Sequence, residues 1–238
     1  MKRLFYSLIT LMSVLVLSCS NSGSQSTNND VAFNPDSENG TTIYELREKF
    51  GAVPKITKQM TIGVVAKNFQ NEYWRTLRAG YEEGEGKYKA NGYNLTLDIS
   101  GARDENDEQG QLAIVNNFIN KGYDALLLSP ISDGNLIPGV DTANSKNIPV
   151  INVNDGLIYN APNFVGPKAD QNGELAAEWI ANKLGGKGKV AIVIGMPKAF
   201  AARQRTEGFE KWMNNNYPDI EIIAKQNADW DRNKAREL

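Results

Sequence analysis

The residues whose types and spacing could do chemistry are the polar turn Lys67, Asn68, Gln70 and Asn71 and the two rings directly after it, Tyr73 and Trp74. Amide and ammonium groups donate and accept hydrogen bonds, and phenol and indole rings offer flat apolar faces. Together they suit a polar ligand. The same two rings equally suit a helix anchor in the core. Covalent chemistry has less to work with. Histidine is absent, which removes histidine-activated nucleophiles and histidine-ligated zinc, and the single cysteine, Cys19, lies near the N-terminus. Ser129, before Pro130, has no base to activate it.

Other motifs dissolve on inspection. The acidic run from Arg103 to Gly110 fails as a calcium loop, because Gly110 falls one residue late and no bidentate glutamate follows at the required spacing. A helix start with acids in its first turn accounts for it better. Gly185 to Gly188, G-G-K-G, precedes a strand and lacks the G-K-[ST] of a phosphate loop. Asn94 begins a glycosylation sequon by pattern only, within a strand. Neither a metal nor a cofactor is expected.

The elements that position the polar turn alternate. Ile62, Val64, Val65 and Ala66 form a short apolar run typical of a strand covered on both faces. A helix over 72–90, a strand over 93–99, a helix over 107–121, a strand over 125–128, a helix from about 133 to 146 and a strand over 148–153 follow. Strands separated by such helices predict right-handed crossovers and a parallel, doubly wound sheet. The turn then sits at the carboxyl end of a parallel strand, where α/β folds bind ligands. Between Gly156 and Lys168 the pattern lapses into Asn, Gly and Pro, a domain crossover. A second unit starts with a helix over 170–184 whose Leu175, Ala176, Trp179, Ile180 and Leu184 share a face. A strand over 189–194, a helix over 199–214, a strand over 220–225 and the start of a further helix complete it. So few strands, with the helices around them, do not close a second such sheet, so the sequence is expected to be truncated, with weak binding and poor solubility for a chain ending at Leu238.

The N-terminus predicts export. Lys2 and Arg3 precede an apolar segment, Leu4 to Leu17, too short for a comfortable membrane span, which ends in L-V-L-S-C. This resembles a bacterial lipobox with Cys19 as the lipidated first mature residue. Residues 1–18 then form a signal peptide and 19–58 a tether, polar as far as Thr42 and containing a short helix in I-Y-E-L-R-E-K-F before Gly51 and Pro54. A formal net charge of −2, with 41% hydrophobic and 23% charged residues, argues against a nucleic-acid binder.

Four stretches, in order, carry a family resemblance: N-E-Y-W after the first strand, N-I-P-V-I-N-V-N-D at the fourth, A-A-R-Q-R-T-E-G-F in the second unit and A-D-W-D-R near the end. From about Thr61 to Leu238 the chain resembles the periplasmic sugar-binding proteins of the ribose-binding type, relatives of the LacI-type sensor domains. The resemblance implies an α/β, two-lobed type I periplasmic binding protein fold, each lobe a doubly wound parallel sheet with helices on both faces, the second incomplete. The lobes would span 59–160 and 161–238. It implies ligand contacts from Asn71, Tyr73, Trp74, Asn154, Asp155, Arg205 and Trp230, with the rings stacking on a sugar and the polar groups reading its hydroxyls. Where the family pattern has an Asp-Arg pair, this chain has Asn154-Asp155. That loses a positive charge and argues against ribose itself, leaving another pentose, a hexose, a deoxysugar or a cyclitol. Lys67, Arg103, Lys168 and Lys198 are expected to be solvated surface charges rather than replacements. The implied function is a monomeric, lipid-anchored, non-enzymatic receptor in the cell envelope that hands a sugar or cyclitol to an ABC transporter permease, without nucleic acid. A sensing role for chemotaxis or a sensor kinase would use the same residues.

Overall fold

The computed structural model describes residues 43–156, 158–161 and 163–238, all within a compact unit running from Ala32 to Leu238. The signal segment, Cys19 and the polar part of the tether lie outside the described residues. The short helix expected next is α1 (Ile43–Phe50), ended by Gly51 in a left-handed conformation.

The first sheet is all parallel, in the order β2-β1-β3-β4-β5. It comprises β1 (Met60–Ala66), β2 (Leu95–Gly101), β3 (Ala125–Leu128), β4 (Val150–Val153) and β5 (Phe164–Val165). Val64, Val65, Leu126 and Leu128 in its two central strands are at most 1% exposed, which is why these segments read as continuous apolar runs. Each such side chain contributes about 1.5–3 kcal/mol of burial. Helices α2 (Glu72–Ala90), α3 (Glu108–Asn120) and α4 (Ile137–Ser145) supply the crossovers. Because the strand order reverses at β1, right-handed crossovers put α2 on one face and α3 with α4 on the other. Val115, Phe118 and Ile119 of α3 join Val140 and Ala143 of α4 in the core.

Two details depart from expectation. Helix α4 starts at Ile137 rather than near Asp133, because Pro138 has no N–H and is tolerated only in a helix's first turn. The sheet also takes in β5, beyond the division at 160/161; two residues pairing with β4 carry too little periodicity to be legible.

The second lobe holds the parallel pair β6 (Gly188–Ile194) and β7 (Ile220–Asn227), with α5 (Ala169–Leu184), α6 (Phe200–Asn216) and α7 (Arg232–Glu237). Helix α5 does not bury the face expected of it. It buries Ala169, Gly173, Ala177 and Ala181, a four-residue spacing of small side chains, and leaves Leu175 and Trp179 in solvent, Trp179 at 63% exposure. The reason is backbone approach to α6. A Cβ on Gly173 would lie 2.1 Å from the Arg205 carbonyl oxygen, and one on Gly208 would lie 2.2 Å from that of Asp170. Only glycine permits a crossing this tight.

Candidate ligand-binding site

The site forms at the carboxyl ends of β1 and β4, on either side of the switch in strand order. After β1 the chain turns on Asn68, whose buried Oδ1 accepts the N–H groups of Gln70 (2.8 Å) and Asn71 (3.1 Å). Asn71 Oδ1 then caps α2 by accepting the Tyr73 N–H at 2.9 Å. Capping fixes the first turn of α2, so Tyr73 and Trp74 are held as an edge-to-face pair with centroids 5.3 Å apart. Trp74 is 3% exposed and Tyr73 is about half exposed, so the pair is at once a helix anchor and a cleft wall. The Tyr73 hydroxyl donates to Asn154 Oδ1, which joins the end of β1 to the end of β4. Asn154 takes a left-handed backbone (φ 68°), a conformation asparagine tolerates better than most side chains.

The charge next to Asn154 overturns one expectation. Lys67 is not a solvated surface charge. It is 1% exposed, its Nζ lies 2.7 Å from Asp155 Oδ2, and it sits 5.9 Å from the centre of a Trp74 ring. The loss of positive charge at 155 is answered inside the same site. Removing one member of such a buried pair strands the other, at about 3–5 kcal/mol. Arg103 and Lys168 are exposed as expected, and Lys198 pairs with Glu108 at 3.0 Å.

The second lobe contributes Arg205 from α6 and Trp230 from the turn after β7. Trp230 lies flat against Gly195, where a Cβ would come within 2.3 Å of the indole. Asp229 and Trp230 both take left-handed backbones (φ 52° and 62°), each costing about 1–3 kcal/mol. The turn is held by the Ala228 N–H on the Ile194 carbonyl (2.8 Å) and by Asp231, which caps α7. Strain in a turn that presents a ring to a cleft is consistent with a functional position.

All seven residues expected at a ligand site, Asn71, Tyr73, Trp74, Asn154, Asp155, Arg205 and Trp230, line one cavity of about 260 Å³. This is below the roughly 300–1,000 Å³ of drug-sized sites and has room for one small ring. A wider hollow of about 550 Å³ shares Asn71, Glu105 and Trp230 with it and is otherwise lined largely by charged and amide side chains, including Asp104, Asp231 and Arg232. The smaller cavity combines facing rings with convergent polar groups.

Glu105 also lines the small cavity, and sequence reasoning missed it within an acidic run read as a solvated helix start. Asn68 Nδ2 donates to Glu105 Oε1 at 3.3 Å. Burial raises the Glu105 carboxyl above the usual range, opposed by the Lys67 charge and by hydrogen bonds from Asn68 and Trp74. Burial likewise raises the Tyr73 phenol, opposed by the Arg205 charge and the hydrogen bond with Asn154, with the Asp155 charge adding to the rise. Ser129, set aside on sequence, is 2% exposed and donates to the Val153 carbonyl, a structural role.

Two α/β lobes meeting over a ring-lined polar cleft at their strand ends define the class: the two-lobed fold of type I periplasmic binding proteins. The chain belongs to the periplasmic binding protein domain family, which it matches over residues 62–238. It is 31% identical over 178 residues to the ribose import binding protein of Bacillus subtilis (strain 168), covering 74% of this chain and 55% of that protein. It is similar in structure to a periplasmic solute-binding protein of an ABC transporter from Actinobacillus succinogenes 130z with bound D-allose (TM-score 0.69, 30% identity, 75% of this chain and 63% of that one). It is similar also to the fructose-binding periplasmic domain of a hybrid two-component system (TM-score 0.66, 27% identity, 75% and 57%). The chain thus spans a little over half the length of these relatives. Among the described residues, no helix is long and apolar enough to cross a membrane.

Proposed function

We propose that the protein is a non-enzymatic receptor that closes its lobes on a sugar or cyclitol and delivers it to an ABC transporter permease. The observation that carries this reading is the convergence of Tyr73, Trp74 and Trp230 with Asn71, Asn154, Asp155 and Arg205 on one ring-sized cavity. The rings stack on the C–H faces of the ligand, and the amide, carboxylate and guanidinium groups pair its hydroxyls. Two cations, Lys67 and Arg205, face two carboxylates, Glu105 and Asp155, so the site is balanced for an uncharged ligand. The names of the similar ribose- and allose-binding proteins point the same way.

In this reading residues 1–18 direct export, lipid on Cys19 and the tether up to residue 58 hold a monomer at the envelope, and the two lobes do the binding. A sensing role is the second reading, favoured by the likeness to the fructose-binding domain of a two-component system. The test of ligand class is a thermal-shift screen of the protein against D-ribose, D-allose, D-fructose and myo-inositol at millimolar concentration. At least one raises the melting temperature, because a ligand that binds only the folded state stabilises it. No shift with any polyol contradicts the assignment.

A further inference from the structure

Asp155 stands between the lobes. It follows β4 of the first sheet, and its two carboxylate oxygens point to different partners. Oδ2 meets the Lys67 ammonium at 2.7 Å, at the end of β1. Oδ1 accepts the Ala201 N–H at 3.2 Å, in the first turn of α6 in the second lobe. All three residues are at least nine-tenths buried. Arg205, which lines the cavity, is one turn further along α6. The other side-chain links across the cleft differ in kind. Lys198–Glu108, Arg203–Asp133 and Arg232–Glu72 lie at its solvated rim, where water and salt weaken them.

A carboxylate aimed at a free helix N–H and charge-paired from behind is fixed in position. The first-turn N–H groups of a helix have no partners inside it and carry its positive end, so a carboxylate there is favoured twice. Lys67 holds Asp155 against the end of the first sheet while Asp155 holds the start of α6. We propose that Lys67 and Asp155 form a buried strut that couples the two lobes before any ligand arrives, setting the height of α6 and hence the place of Arg205 in the cleft. Both are positioning residues in this role. The proposal concerns the same site as the proposed function, but its primary test needs no ligand.

The test compares two double variants that both remove the charges. Lys67→Met with Asp155→Asn keeps an oxygen acceptor for the Ala201 N–H, whereas Lys67→Met with Asp155→Leu keeps the size and loses the acceptor. Spin labels on exposed positions, Lys146→Cys in the first lobe and Lys211→Cys in the second, in a Cys19→Ser background, report the inter-lobe distance without ligand. The Asn double variant, which keeps the acceptor but loses the ion pair behind it, gives a distance distribution broader than the parent's, and the Leu double variant shifts to longer distances still. Amide exchange at Ala201 reads the same contact in unlabelled protein: slow in the parent and the Asn variant, fast in the Leu variant. If the Leu variant does not fold, Asp155→Ala in the Lys67→Met background takes its place. The same distances and the same Ala201 exchange in both double variants would overturn the strut. An unchanged response to D-allose in both double variants, with longer distances in the Leu variant, would overturn the ligand reading of Asp155 instead and leave the coupling standing.

Discussion

At the scale of single residues, the cleft works by placing polar groups that cannot be left unpaired. A buried hydroxyl or carboxylate without a partner costs about 1–3 kcal/mol, so in the proposed receptor the groups around the cavity would select a ligand by what they lose without it. Glu105 gives a test of that environment. Burial lifts its carboxyl above the ordinary 4.5, so the folded chain holds this proton to higher pH than the unfolded chain does. The stability linked to it is complete below about 4.5 and is lost as pH rises through the folded value. Glu105→Gln cannot ionise, so its urea midpoint gains on the parent's between pH 4.5 and 7; parallel curves would show that the carboxylate is fully solvated in the folded protein. Lys67 and Glu105 are also where sequence reasoning fell short. Isolated charged residues are almost always solvated, and what buries Lys67 is a partner 88 positions away. No local spacing encodes that pairing. Asn154, Arg205 and Trp230 were legible as cavity-lining residues only because their order along the chain resembles a known family; periodicity alone would have left them as turn and helix residues.

At the scale of elements, the strands and long helices were legible because both centre and ends were marked. Helix α2 begins after a capping asparagine and stops at Asn91-Gly92, and its observed span is the expected one. The face of α5 was not legible. Large apolar side chains usually mark the buried stripe, but here close backbone packing on α6 selects the glycine and alanines. The same tightness makes Gly195 a sensitive point. Gly195→Ala pushes a methyl group into the space of Trp230 and must move the ring or the strand end, at about 1–3 kcal/mol. We expect denaturant unfolding to show that loss together with weaker polyol binding. Unchanged stability and binding would mean that the indole swings aside freely and does not depend on its glycine seat.

At the scale of the whole molecule, the two lobes meet through the buried contact of Asp155 with the Ala201 N–H, through ion pairs at the rim and around a cavity whose walls come from both sides. A ligand that touches Trp74 in one lobe and Trp230 in the other favours closure by its own contact energy, since it can shift the equilibrium only by its preference for the closed form. The fold class was legible from the alternation of strands and helices, whereas the meeting of the lobes depends on contacts far apart in sequence. The central claim is that the ligand sits between the lobes against Trp230. Calorimetric titration of Trp230→Ala beside Trp179→Ala tests it most directly, using the polyol with the largest thermal shift. Both substitutions remove an indole, but Trp179 projects from α5 into solvent and is absent from the cavity lining. The account predicts binding at least about tenfold weaker for Trp230→Ala, a loss of about 1.4 kcal/mol or more, with parental affinity for Trp179→Ala. Parental affinity in Trp230→Ala, or equal losses in the two variants, would contradict it.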